Sequence, residues 1–240
     1  MIKKAISDDL SFNTDVTPNV EYIGNEGSPI LVFDNISVKP ELLVSQFLKN
    51  QNKAKPARGK DNYYPGDHLE VESIYADNLN KLLAPYIKKY FNLPAAYLER
   101  IFCDFSIVNT PEEQLTPLQA LPHYDSHGSG NLAGIHFLCD PPYLGTGFYR
   151  HQETGIELMS RKKVNNYLKA LEQHIESPDF EKKYISGHIP HFDLIHTIPA
   201  KFNRLVIYRS QALHTALIDN FLLNNPVDNG RLTLRSFLFY

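Results

Sequence analysis

The sequence predicts a mainly β domain with α-helical support, a sandwich or barrel, and three observations carry that expectation. From residue 100 onward the chain breaks into short β-like runs separated by Gly, Pro and Asn turns. A single amphipathic stretch, 161–177, interrupts those runs. With 240 residues, 42% of them hydrophobic, the chain can bury one sizeable core, so one domain over 1–240 is expected: helix-and-strand support at 1–99, then a β core at 100–240 with a helical insert at 157–185.

Taken in order, SPILVFDNI (28–36) is an apolar, strand-like run, and KPELLVSQFLKN (39–50) follows it with Leu42, Leu43, Phe47 and Leu48 on one helical face. ARGKDNYYPGDH (57–68) carries turn chemistry around Pro65-Gly66. In DNLNKLLAPYIKKYFNLP (77–94), Leu79, Leu82, Leu83, Tyr86, Ile87 and Tyr90 keep a helical period, with Pro85 expected to kink the helix or set a boundary in it. The β-like runs are 100–109, 131–140, 146–152, 192–201, 204–210 and 231–240. In the insert, Val164, Leu168, Leu171 and Ile175 form the expected apolar stripe. The sequence shows no internal repeat and no low-complexity segment.

Charge narrows the function. Lys+Arg at 24 against Asp+Glu at 27 gives a net charge of -3 with no basic arm, so nucleic acid is not an expected partner. The N-terminal MIKKAISDDLSFN lacks an apolar signal core and no membrane-length apolar run occurs, so a membrane partner is not expected either. Cys103 and Cys139 stand alone in apolar contexts, without a CxxC or nearby His, which speaks against zinc or a disulfide framework and fits a reducing cytoplasm. Oligomeric state is not legible.

The chemistry gathers at LPHYDSHGSG (121–130). If this segment is extended, period-two alternation points His123 and Asp125 the same way. A third metal ligand is available at His214, 89 residues beyond Asp125 (214 − 125), in RLVIYRSQALHTAL. Two imidazoles and one carboxylate leave three cis positions open on an octahedral metal, the arrangement of non-haem Fe(II) oxygenases. His127 lies roughly 13 Å along the strand from His123, so it lines the mouth of the site or faces solvent. PHFDLIH (190–196) repeats the H-x-D pattern at His191 and Asp193, but His214 follows only 23 residues later (214 − 191), so both read as strand-edge polar residues. His136 and His151 read as packing or surface histidines. Near the C-terminus, alternation places Arg231, Thr233 and Arg235 on one face, where inward guanidiniums require an anionic partner. That partner is either a bound carboxylate or an internal one such as Asp219 or Asp228.

His123-x-Asp125, then His214, then Arg231-x-Thr233 resemble the Fe(II)- and 2-oxoglutarate-dependent oxygenase superfamily, its prolyl-hydroxylase-like branch in particular. GIHFLCDPPYLGTGFYRHQETG (134–155) and IPAKFNRLVIYRSQALHTA (198–216) are similar to that family's core strands. The resemblance covers 100–240 and implies a double-stranded β-helix of the jelly-roll or cupin-like kind. It implies Fe(II) on His123, Asp125 and His214, and 2-oxoglutarate on Arg231 and Thr233, with O2 as the other co-substrate. Arg235 is an alternative carboxylate partner, because the 17 residues from His214 to Arg231 (231 − 214) exceed the family's usual spacing and enlarge the loop 221–229. The family's tyrosine ahead of the first histidine is missing, and Tyr208 or Tyr149 is expected to replace it. The implied reaction is hydroxylation of a small-molecule, amino-acid or peptide substrate with release of succinate and CO2, and the carboxylate at 125 favours hydroxylation over halogenation. Competing readings are a non-oxidative cupin-like metalloenzyme and a degenerate β-helix kept as a binding module. Loop 63–68, segment 110–122 and helix 161–177 are the candidate walls or lid of the pocket.

Overall fold

The computed structural model describes residues 10–56, 63–94, 98–224 and 230–240. The turn expected at 57–62, Asp228 and the remainder of the enlarged loop at 225–229 lie outside the described residues. So do the first nine residues of the N-terminal stretch.

Two antiparallel sheets organise the chain. The strands are β1 (Asn19–Ile23), β2 (Ser28–Phe33), β3 (Lys55–Pro56), β4 (Gly66–Glu70), β5 (Arg100–Val108), β6 (Asn131–Phe137), β7 (Thr146–His151), β8 (Phe192–Ile198), β9 (Arg204–Arg209), β10 (His214–Ala216) and β11 (Leu232–Phe239). The larger sheet runs β1-β2-β9-β6-β11-β5-β4-β3 and the smaller β10-β7-β8. His123 adds a fourth rung to the smaller sheet through a bridge to His214. From β5 to β11 the chain therefore crosses between the sheets at every step except the β7–β8 hairpin, which stays in the smaller one, so that core strands β5-β11-β6-β9 face His123-β10-β7-β8. This interleaving is a double-stranded β-helix. Among the described residues no strand pairing joins the two sheets, so the expected barrel is an open sandwich.

Apolar burial explains the layers. Helix α1 (Pro40–Asn50) and helix α2 (Ser73–Tyr86) cover the outer face of the larger sheet, with Leu43, Phe47, Leu79 and Leu83 against Phe105, Leu132, Ile207 and Leu234. Between the sheets lie Ile30, Phe137, Phe148, Val206 and Tyr208. Helix α3 (Val164–Ile175) packs with Tyr149, Phe192 and Leu213 behind the smaller sheet.

Three expectations shift. Leu48 is 39% exposed, so α1 rests on Leu43 and Phe47. In α3 the buried side chains are Tyr167, Ala170, Leu171 and His174, while Leu168 is 41% exposed. The stripe is rotated because Tyr167 reaches inward to donate its hydroxyl to the Pro122 carbonyl, 3.2 Å away. Helix α2 begins four residues before the expected start and passes through Pro85, then widens into a π turn at Ile87–Phe91. The missing N–H of Pro85 leaves the carbonyl four residues earlier unbonded, which accounts for a boundary at this point. Cys103 and Cys139 are both free thiols. Among the described residues no helix is long and apolar enough to cross a membrane.

Candidate active site

The site begins with one antiparallel backbone pair. His123 N–H donates to the His214 carbonyl (2.9 Å) and His214 N–H donates to the His123 carbonyl (2.8 Å), so both imidazoles leave the same face of the smaller sheet. Their ring centroids are 4.5 Å apart. Asp125 is fixed two residues on by its own N–H, which donates to the Ser210 carbonyl at 2.9 Å. Its two carboxylate oxygens sit 3.7 Å from His123 Nε2 and 3.7 Å from His214 Nε2. One donor atom from each of the three side chains lies within 4.8 Å of the others, and among the described residues no other cluster of three such groups meets that condition.

The electrostatics fit a divalent cation. Burial, then His214 and Arg235, hold the His123 imidazole well below its usual range, which keeps it in the neutral, ligating form. Burial raises the Asp125 carboxyl, with His214 and Arg235 opposing. His214 Nδ1 is 2.9 Å from the Ala212 carbonyl, a contact that places the proton on Nδ1 and turns the Nε2 lone pair toward Asp125. The His123 ring is stacked on Tyr63, at 5.3 Å and 13°. The Asp125 oxygens face both Nε2 atoms beyond hydrogen-bond range, a gap that a shared cation would fill.

These ligands open into a cavity of about 520 Å³. Register decides what else lines it. Thr233 pairs with Ser106, Arg235 with Asp104 and Phe237 with Phe102, so one face of β5 and β11 looks into the space between the sheets. Arg231 is buried at its inner end and donates Nε to the Leu144 carbonyl (3.2 Å) and Nη2 to the Gly145 carbonyl (2.8 Å), which leaves further N–H donors for a ligand. Asp219 is not its partner. Thr233 Oγ1 is 2.8 Å from Ser106 Oγ. Arg235 is clamped by Asp104 in bidentate fashion, Nε to Oδ1 at 2.5 Å and Nη2 to Oδ2 at 2.9 Å. The charge of Arg235, the alternative carboxylate partner, is thus answered internally.

Tyr208 lines the cavity, its phenol pushed up by burial and then by Asp125 while Arg231 opposes, so it lies within the field of both the metal ligands and the guanidinium. Tyr149 does not: its hydroxyl donates to the Gly187 carbonyl at 2.6 Å, inside the cluster around α3. His127 is absent from the cavity lining and meets Gln211 only through its carbonyl. His191 packs against His174 at 4.2 Å, and Asp193 accepts from Gln152. His136 is buried between Tyr75 and Asn203, and His151 bonds Thr154.

Sequence reading missed individual walls. Tyr64 lines the cavity, its phenol pushed up by burial while Arg231 opposes, and Tyr184 and Ile185 come from the end of the insert. Loop 63–68 and segment 110–122 contribute Tyr63, Tyr64, Pro65 and Gln119, whereas helix α3 contributes nothing. The YYP run was the only signal for the first group; nothing local marked Tyr184.

A family model described as "Family of unknown function (DUF6445)" matches residues 14–238. The chain belongs to that family. No curated protein matches it. Among solved structures, this DUF6445 chain is similar to the non-heme alpha ketoglutarate dependent epimerase SnoN from nogalamycin biosynthesis, at 11% identity and TM-score 0.46 over 88% of this chain and 78% of that one. HygX from Streptomyces hygroscopicus with nickel and 2-oxoglutarate bound aligns at 9% identity and TM-score 0.47, covering 89% and 83%. EvdO2 from Micromonospora carbonacea var. aurantiaca aligns at 8% identity and TM-score 0.42, covering 91% and 92%. These likenesses are distant; the β-helix of the DUF6445 chain is read from its own strand order.

Proposed function

We propose that the protein is an Fe(II)- and 2-oxoglutarate-dependent oxygenase that hydroxylates a small-molecule or peptide substrate, consuming O2 and releasing succinate and CO2. The observation that carries this reading is the convergence of His123, Asp125 and His214 in the same cavity as Arg231, which is buried and, among the described residues, meets no carboxylate. A non-oxidative metal site would have no use for that guanidinium.

In this reading His123, Asp125 and His214 would hold the metal ion, a donor set that suits Fe(II) and would leave room for a co-substrate. Bound Fe(II) supplies the redox chemistry that couples O2 to oxidation of the co-substrate and the substrate. Arg231 receives the distal carboxylate of 2-oxoglutarate with charge-assisted hydrogen bonds, and the Leu144 and Gly145 carbonyls fix its plane beforehand. Thr233 and Ser106 offer hydroxyls beside it. The Tyr208 phenol, kept protonated by burial, can donate toward an anionic ligand between Asp125 and Arg231. Asp104 neutralises Arg235, so among the described residues Arg231 is the cavity cation left to meet a co-substrate carboxylate. Phe237, Ile135 and Ala133 line the same space and limit water around the open metal positions.

The test is an anaerobic titration of the protein with Fe(II) and 2-oxoglutarate, read by the weak visible charge-transfer absorption that a chelated keto acid gives. Absorption that appears in the parent protein and is lost in Asp125→Ala supports the assignment. Absence of both metal uptake and absorption in the parent protein overturns it.

A further inference from the structure

The cavity is longer than a keto acid and a small substrate require. Arg231 and Phe239 both line it, and eight residues of extended strand separate them, about 26 Å at roughly 3.3 Å per residue. The space is therefore a trough along β11, with the guanidinium at its closed end and Phe237 and Phe239 toward the other.

Beyond Phe239 the same sheet face continues into the open. Phe237 faces Phe102 and Phe239 faces Arg100 across the β5–β11 ladder, so Phe102 and Arg100 extend the row that lines the trough. The Arg100 guanidinium lies 4.7 Å from the centroid of Phe102 and 4.6 Å from that of Phe239. Those rings meet edge to face, with centroids 6.0 Å apart. Phe102 is nevertheless 50% exposed, and no carboxylate pairs with Arg100 among the described residues. An exposed large ring beside a guanidinium that makes no ion pair among the described residues leaves a stacking surface at the trough's outer end.

We propose that Arg100, Phe102 and Phe239 form a subsite that binds a planar aromatic ring of an elongated substrate, whose other end reaches the metal ligands. This deepens the oxygenase reading and rests on it for the identity of the reacting end. The charge of the trough excludes the main competitor. Among the described residues Asp125 is the sole carboxylate lining the cavity and is assigned to the metal, while Asp104 is taken by Arg235, so those residues offer a cationic substrate no counter-charge. A free amino acid would also need a partner for its ammonium, and among the described residues the trough supplies none. What it supplies is rings: Tyr63, Tyr64, Tyr124 and Tyr184 along the way. Aromatic faces and a guanidinium plane together select a flat, electron-rich group.

The chain contains no tryptophan, so indole fluorescence reports a bound ligand without protein background. The probe is N-acetyl-tryptophanamide, titrated into the full chain, with Mn(II) and 2-oxoglutarate binding measured on the same samples. The expected result is saturable binding with a blue-shifted emission, weakened about tenfold by Phe102→Ala and by Arg100→Ala, as loss of one ring contact implies. Mn(II) affinity should stay unchanged in both variants, whose altered side chains are exposed. No saturable binding, or binding indifferent to both substitutions, overturns the subsite. If the probe binds as expected but Mn(II) and 2-oxoglutarate do not, the oxygenase assignment fails and the aromatic subsite stands; the reverse outcome sinks the subsite alone.

Discussion

Substituting Arg231 separates its structural work from its binding work. Its guanidinium makes two hydrogen bonds to backbone carbonyls, at 3.2 and 2.8 Å, and no ion pair among the described residues, in a position only 5% exposed. Hydrogen bonds to a charged group contribute about 1.5–3 kcal/mol each. In the absence of ligand, Arg231→Ala loses both bonds but also relieves the desolvation of a buried charge, so the net destabilisation should be small, about 1–2 kcal/mol. With 2-oxoglutarate present the same substitution removes a bidentate clamp on the distal carboxylate, about 3–5 kcal/mol, which is a loss of roughly two to four orders of magnitude in affinity. Arg231→Lys keeps the charge and loses the fork, and should fall between, at about a tenfold to hundredfold loss. Calorimetry with Mn(II)-loaded protein gives the affinities, and urea denaturation of the ligand-free proteins gives the stabilities. An Arg231→Ala protein that binds 2-oxoglutarate as tightly as the parent, with its fold intact, would refute the assignment of this guanidinium.

Metal binding should raise the unfolding midpoint, by about 2.7 kcal/mol of stability at a hundred times the dissociation constant, and His214→Ala should abolish that increment; thermal melts with and without Mn(II) measure it. Asp104→Ala strands Arg235, and because that pair is about a quarter exposed the cost should be about 1–3 kcal/mol rather than the full penalty of a buried pair; the double change Asp104→Leu with Arg235→Met should recover most of it in denaturant titrations. Phe148→Ala empties a fully buried position packed on Tyr208 at 5.0 Å and near His214 at 6.3 Å, so it should cost about 3–5 kcal/mol and weaken metal binding, measured by melts and Mn(II) titration together. His136 is held at about 4, against 6.5 for a free imidazole, chiefly by burial. A depressed histidine contributes stability that is complete above the unfolded value, so stability should fall by roughly 3 kcal/mol as pH drops from about 6.5 through about 4; His136→Gln should flatten that limb of the stability curve.

How far the sequence could be read depended on whether the signal was local. Six β-like runs after residue 100 became β5 to β9 and β11 because alternation and turn residues act within one segment. The same period put His123 and Asp125 on one side, and His214, far along the chain, did meet them. Helix faces were less certain. Tyr167 displaced Leu168 in α3 because a hydroxyl partner at Pro122 outweighed apolar spacing.

Arg231 and Arg235 looked interchangeable along the strand, since both point the same way and neither segment shows what lies opposite. The β5–β11 register set Asp104 beside Arg235, while among the described residues Arg231 hydrogen-bonds backbone carbonyls. Tyr64, Tyr184 and the exposed Arg100–Phe102 surface likewise acquired meaning from neighbours scores of residues away. The sequence by itself determined which faces of which segments are apolar and where metal-capable side chains occur, because period and turn chemistry are properties of a few consecutive residues. The tertiary structure alone decided which charges are paired, which aromatic rings wall the trough and where it opens, because those depend on register between distant strands, and a shift of one residue there turns every side chain to the opposite face.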